Sequence, residues 1–118
     1  MASAEDASRE RFARRLLRAK TSREARAFAR THAARIDDGV VLLLARRVHG
    51  EIQRNPSRAA VLAERLKDAV AASPSPLRVA HALVAESLVE RAKGRPLRAV
   101  AAMQRAVAGF RRAKDLGA

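Results

Sequence analysis

The nine residues Ala92-Lys93-Gly94-Arg95-Pro96-Leu97-Arg98-Ala99-Val100 decide how this chain folds. They read as helix, tight turn, helix. Gly94 can take the left-handed conformation that ends a helix, and Pro96 suits the first turn of the next one. Ala99, three residues after Pro96, is a small residue where two antiparallel helices must approach closely. The stretch predicts a helical hairpin from Leu83 to Leu116, and the rest of the chain looks like variations on it.

Working outward, the helix after the turn is expected from Pro96 to Asp115. Ala99, Val100, Met103, Ala106, Val107 and Phe110 form one broad apolar face, while Arg98, Arg105 and Arg112 form a stripe at seven-residue spacing on the other side. The helix before the turn runs from Pro76 to Lys93, with Val79, Leu83, Val84 and Leu88 inward. Ser73-Pro74-Ser75-Pro76 separates it from a helix ending at Ala72, whose inward residues are Ala59, Leu62, Ala63, Leu66 and Val70. That helix starts at Asn55-Pro56, a cap followed by proline at the first position.

Nearer the N-terminus, Gly39 to Arg54 opens with the most apolar run, Val40-Val41-Leu42-Leu43-Leu44-Ala45. A run apolar on all sides should be covered on more than one side, which places it at the centre of the core. Asp37 or Asp38 caps it. Ser22 to Ala34 is a helix with Ala25, Phe28, Ala29 and His32 inward, opened by the capping box Thr21-Ser22-Arg23-Glu24. Ala4 to Ala19 is the first helix, with Phe12, Leu16 and Ala19 along one face, joined by Ala13 and Leu17. The fold class is therefore all-α: about six helices in three antiparallel hairpins.

Composition agrees. Alanine, the best helix former, is about a quarter of the 118 residues, and aromatics are only 3%. A chain this long buries roughly 65% of its unfolded surface, enough for one core. There is no cysteine, which excludes disulfides, thiolate metal sites and thiol nucleophiles and fits a reducing, cytoplasmic location. The acids Glu5, Asp6 and Glu10 and the lack of an apolar core argue against a secretory signal at the N-terminus. No uncharged run approaches the ~18 apolar residues of a membrane span.

Charge is the outlier. Lys+Arg number 25 against 12 Asp+Glu, a net charge of +13. Only four of the basic residues are lysine. The Arg:Lys ratio, with so much alanine, reflects GC-rich coding, but it does not explain the shortage of acids. The excess implies attraction to polyanions or to an acidic protein surface.

For catalysis the inventory is thin. His32, His49 and His81 are far apart, the pair Asp37-Asp38 is explained by helix capping, and serines sit mainly beside turns. The five glycines are isolated, so there is no phosphate loop. The sequence predicts no catalytic, cofactor or metal residues. From Arg91 to Lys114 there are eight basic residues and no acid. Arg91, Lys93, Arg95, Arg98, Arg105 and Arg112 are the candidate surface for a polyanion or an acidic partner. Phosphate contacts need little more than such a surface. There is, however, no aromatic platform for single strands and no helix with base-reading residues. The other candidate is an apolar docking face on the last helix, Val100, Met103, Val107 and Phe110, some of which are left exposed if nothing covers them.

Pro56 and Pro96 stand about 40 residues apart, a period of the size that helical repeat arrays use. Pro56-Ser57-Arg58-Ala59 matches Pro96-Leu97-Arg98-Ala99, and Glu51 matches Glu90. The last hairpin resembles a tetratricopeptide repeat: Leu83 stands at the usual tryptophan, Ser87 at the small residue, Gly94 at the turn glycine, Ala99 at the second-helix alanine. Met103 replaces an aromatic, Ala106 follows three later, Glu86 replaces a leucine, Glu90 a tyrosine, and Arg111 stands where the closing proline belongs. The resemblance is to a divergent repeat, with a weaker copy over Val40 to Ala72. The wording is also similar to long-helix repeats of large bacterial multidomain proteins, including regions ahead of CHAT protease domains and in transcriptional regulators. It implies a right-handed array over 1–118, with an irregular capping hairpin at 1–36, a repeat-like hairpin at 39–72 and the best-matching hairpin at 76–116.

Three functions follow as expectations. The first is a non-catalytic protein-interaction scaffold, read as the N-terminal segment of a larger bacterial protein, with self-association through the last helix as one outcome. The second is a sequence-nonspecific nucleic-acid-binding module. The third is a regulatory segment of a multidomain enzyme. No membrane partner is expected.

Overall fold

The computed structural model describes residues 3–117, so the outermost ends of the expected 1–118 domain lie outside the described residues. Those residues form α1 (Ala4–Leu17), α2 (Ser22–Thr31), α3 (Asp38–Glu51), α4 (Pro56–Ala72), α5 (Pro76–Ala92) and α6 (Pro96–Asp115), with no strand among them. The protein is all-α, with six α-helices among the described residues.

Short polar side chains start five of the six helices. Ser3, Thr21, Asp37, Asn55 and Ser75 each accept a hydrogen bond from the backbone N–H three residues on, at 2.8–3.1 Å. Asp37 rather than Asp38 is therefore the cap of α3. The box at Thr21 is shifted: Glu24 reaches back to the N–H of Lys20, not that of Thr21. Asp6 and Ser3 form a reciprocal box that the sequence reading passed over.

The first helix ends at Leu17 rather than Ala19, α5 ends at Ala92 rather than Lys93, and two helices end three residues earlier than their apolar patterns predict. After Thr31, His32 leaves helical geometry (φ −114°, ψ 27°) and the chain tightens into a 3₁₀ turn, Ala33–Arg35. The next helix stops at Glu51 instead of Arg54 because Pro56 forces the residue before it out of the helical region. Asn55 lies outside it, with φ −150° and ψ 85°.

The core is built by α1 to α5. Phe12, Leu16, Val40, Val41, Leu44, Val48 and Leu66 are its large members, joined by Leu62, Val70 and Val89. The run at the start of α3 is central, as its composition requires, and α3 packs on α1, α4 and α5. Its cover is incomplete: Leu42 stays partly exposed. Successive odd helices touch (α1 with α3, α3 with α5), and α2 packs on α4 far more than on α1. Phe12 and Phe28 stack at 5.4 Å between centroids, with the guanidinium groups of Arg35 and Arg15 over their outer faces.

No large side chain of α6 belongs to this core. It has one substantial neighbour, α5, and that contact is the most extensive in the molecule.

Candidate functional site

Two features are built around α5, and both begin at the turn that joins it to α6. Gly94 is left-handed, with φ +75°. Its N–H bonds to the carbonyl of Arg91, and the N–H of Arg95 bonds to that of Glu90, which closes α5 in a Schellman motif. The turn sends α6 back along α5 at short range. Ala99, Ala102, Ala106 and Ala113 are buried on α6, facing a partner that supplies Ala80, Leu83 and Ser87 among its own buried residues. The Ser87 hydroxyl donates to the carbonyl of Ala99 at 2.7 Å. At the far end Gly109 lies against α5 so closely that an added Cβ would sit 3.1 Å from the Cβ of Ala80. On α5 this moves burial onto small residues. Leu83 is buried as expected, but Val79 is exposed and Val84 and Leu88 are half-buried.

An all-alanine seam leaves the larger apolar residues of α6 outside. Val100 is 54% exposed, Met103 37% and Val107 42%. They line a shallow trough together with Gln104, Ala108 and Arg111. Phe110 stands apart from them, half-buried with its ring edge-on to His81 at 5.2 Å. Burial also pushes the His81 imidazole below its usual pKa, against the opposing charge of Asp38.

The six candidate cations do not converge on one patch. Arg98, Arg105 and Arg112 are exposed along α6, drifting about 20° per heptad, and no acid lies within ion-pair distance of them among the described residues. They flank one side of the alanine seam, and Val100, Met103 and Val107 flank the other. Arg95 lies 3.5 Å from a Glu90 oxygen. Arg91 faces the C-terminal end of α3, beside His49 and Gln53, while Lys93 and Arg105 border a groove on the opposite flank of α5. The basic residues nearest the exposed apolar strip are Arg111 and Lys114. The heptad count that picked out Arg98, Arg105 and Arg112 passed over them, although Arg111 is four residues after Val107 and Lys114 seven.

The groove beside Lys93 and Arg105 is the larger feature, and the sequence reading missed it. It runs between α4 and α5 with a volume of about 490 Å³. Val61, Val79, Leu83 and Val89 are among its apolar walls, and Glu64, Glu86 and Glu90 are its acids. Arg65 forms part of the wall and is only 6% exposed. Its guanidinium donates to Asp68 at 2.6 Å and to Ser22 at 3.2 Å, and Arg26 reaches the other Asp68 oxygen at 3.0 Å. This network ties α2 to α4. The signal available in sequence was Asp68 three residues after Arg65, which reads equally well as an exposed helix pair.

Among the described residues no group of three or more histidines and acids is placed to hold a metal ion, and no helix is long and apolar enough to cross a membrane. No family model matches the chain, and no curated protein or solved structure matches it either.

Proposed function

We propose that the protein is a non-catalytic interaction module that docks an acidic amphipathic helix of a partner protein along the outer face of α6. The observation that carries this is the seam: α6 spends its alanines on α5 and presents Val100, Met103 and Val107 to solvent. Their spacing of three and four residues is the spacing by which one helix packs on another. Hydrophobic residues on an otherwise charged surface mark an interaction site when they are contiguous. The partner's charge follows from the rim. Arg111 and Lys114 lie at the C-terminal end of the strip, and no acid occurs between Arg91 and Lys114.

The closing turn at Gly94 and the small-residue seam between α5 and α6 support reading the chain as a short repeat-type scaffold of the kind its sequence resembles. In such arrays each unit buries its face against the next, and an outer helix that lacks a polar cap accepts another helix. The segment-of-a-larger-protein and cytoplasmic readings fit the same picture.

The test is fluorescence anisotropy with a labelled synthetic helix carrying leucine at its a and d positions and glutamate at the flanks. Binding near the micromolar range is expected, weakened about tenfold or more by Val107→Asp. Equal affinity for wild type and Val107→Asp would remove α6 from the proposal. Arg98, Arg105 and Arg112 favour a second reading, nonspecific binding of nucleic acid, because they line one edge over roughly 21 Å with no acidic partner among the described residues.

A further inference from the structure

We propose that the partner helix lies antiparallel to α6 in the manner of a two-stranded coiled coil, with Gln104 fixing its register. This rests on the reading above, that an acidic helix docks on this face, and adds its direction and its alignment.

Leu97, Val100, Gln104, Val107, Arg111 and Lys114 recur at intervals of three and four residues, the a and d positions of a heptad. All six are exposed, Leu97 at 84%. The alanines buried against α5 fall at none of these positions. The shallow trough on α6 has the matching shape. Its lining divides into Val100, Met103, Gln104 and Val107, and Gln104, Val107, Ala108 and Arg111. Each set has the spacing i, i+3, i+4, i+7, the four-residue hole into which a facing helix inserts one side chain.

Direction follows from charge. The apolar members of the row stand toward its N-terminal end. Arg111 and Lys114 close it, with no acid within ion-pair distance among the described residues. Asp115 comes just past the last position of the row. A second copy of α6 fits poorly here. Antiparallel, it would set Lys114 and Arg111 against Leu97 and Val100; parallel, it would set each cation against its own twin. The occupant therefore carries acids opposite Arg111 and Lys114. Carboxylates are favoured in the first turn of a helix. That end is the partner's N-terminus, and the two helices run antiparallel. One polar residue among apolar a and d positions specifies alignment at a cost in stability. Gln104 is that residue, and a partner amide opposite it would satisfy both side chains.

The test uses synthetic helices of about 21 residues, long enough to cover the row. Each has leucine at its a and d positions, except for two glutamates in the first turn and one asparagine facing Gln104. A nitroxide at the peptide's N-terminus is expected to broaden the amides of ¹⁵N-labelled protein near Lys114 and to spare those near Leu97. By anisotropy, moving the asparagine one heptad should weaken binding about tenfold, and Gln104→Leu should remove that difference. Arg111→Glu with Lys114→Glu should weaken binding by a similar factor, restored when the peptide's glutamates are replaced by lysines. Broadening near Leu97 or at both ends, indifference of the wild type to the asparagine's place, or a preference that survives Gln104→Leu would overturn the proposal. If Val107→Asp still abolishes binding in those cases, the docking face stands and only this geometry falls. Peptides that bind neither protein, or both alike, overturn the two together.

Discussion

Asp68 has no exposed side-chain surface and two arginines on its carboxylate, one of them Arg65, itself buried. Taking two charges out of water is repaid only while both are present, so removing one leaves the other stranded. Asp68→Ala should therefore cost about 3 kcal/mol or more in chemical denaturation, well above a typical surface change. A loss below about 1 kcal/mol would mean that Arg65 finds water instead. Asp37 behaves differently because it is half exposed. Burial favours its neutral form, but hydrogen bonds from Arg9 and the Val40 N–H, with the Arg9 charge, hold its pKa below the usual carboxylate value. A depressed carboxylate stabilises the fold above its unfolded pKa and loses that contribution as pH falls through the folded one. Asp37→Asn keeps a capping side chain and loses the ion pair. It should be less stable than wild type at pH 7, and the difference should close below about pH 4. A pH-independent difference would assign the effect to the cap alone. Neither carboxylate's environment was legible in sequence, because each depends on an arginine 28 or 42 residues away.

At the scale of the element, the pair α5 and α6 holds most of what the sequence made readable. Gly94, Pro96 and Ala99 announced the hairpin because turn chemistry and small-residue contacts are local properties. What a helical wheel could not separate was which half of α6's apolar face is buried. The alanines win the seam because Ser87 and the Gly109–Ala80 approach set an interhelical distance too short for valine or methionine. Two glycines test that distance. Glycine inside a helix costs roughly 1 kcal/mol relative to alanine. Gly50 has nothing within 4 Å of an added Cβ, so Gly50→Ala should stabilise by about 0.5–1 kcal/mol. Gly109→Ala should bring no such gain and should destabilise, since its Cβ would meet Ala80 at 3.1 Å, with backbone behind it. Thermal denaturation of both variants decides it, and equal stabilisation would show that the seam is loose. Ala106→Leu should cost about 1–3 kcal/mol by overpacking the middle of the same contact.

At the scale of the whole molecule, five helices make a core and the sixth offers a surface. The all-α class, the six helices and the central place of the α3 run were legible because apolar periodicity and capping residues report them directly. The surfaces were only half legible. The exposed strip of Val100, Met103 and Val107 could be foreseen from an apolar face too wide for one neighbour, but the separation of the arginine stripe from it could not, since it depends on how α6 rolls on α5. The groove between α4 and α5 was invisible, because its acids belong to two helices whose approach no local pattern encodes. The central claim is that the apolar strip, and not the basic charge, is what recognises a partner. The most direct measurement is anisotropy of the labelled acidic helix and of a labelled DNA duplex, each titrated from low to high salt against wild type, Val107→Asp and the triple variant Arg98→Glu, Arg105→Glu, Arg112→Glu. The account predicts that helix binding persists near 0.5 M salt and is lost in Val107→Asp, while duplex binding fades before physiological salt. Duplex binding that holds at physiological salt and vanishes in the triple variant, with the helix binding no better than the duplex, would contradict it.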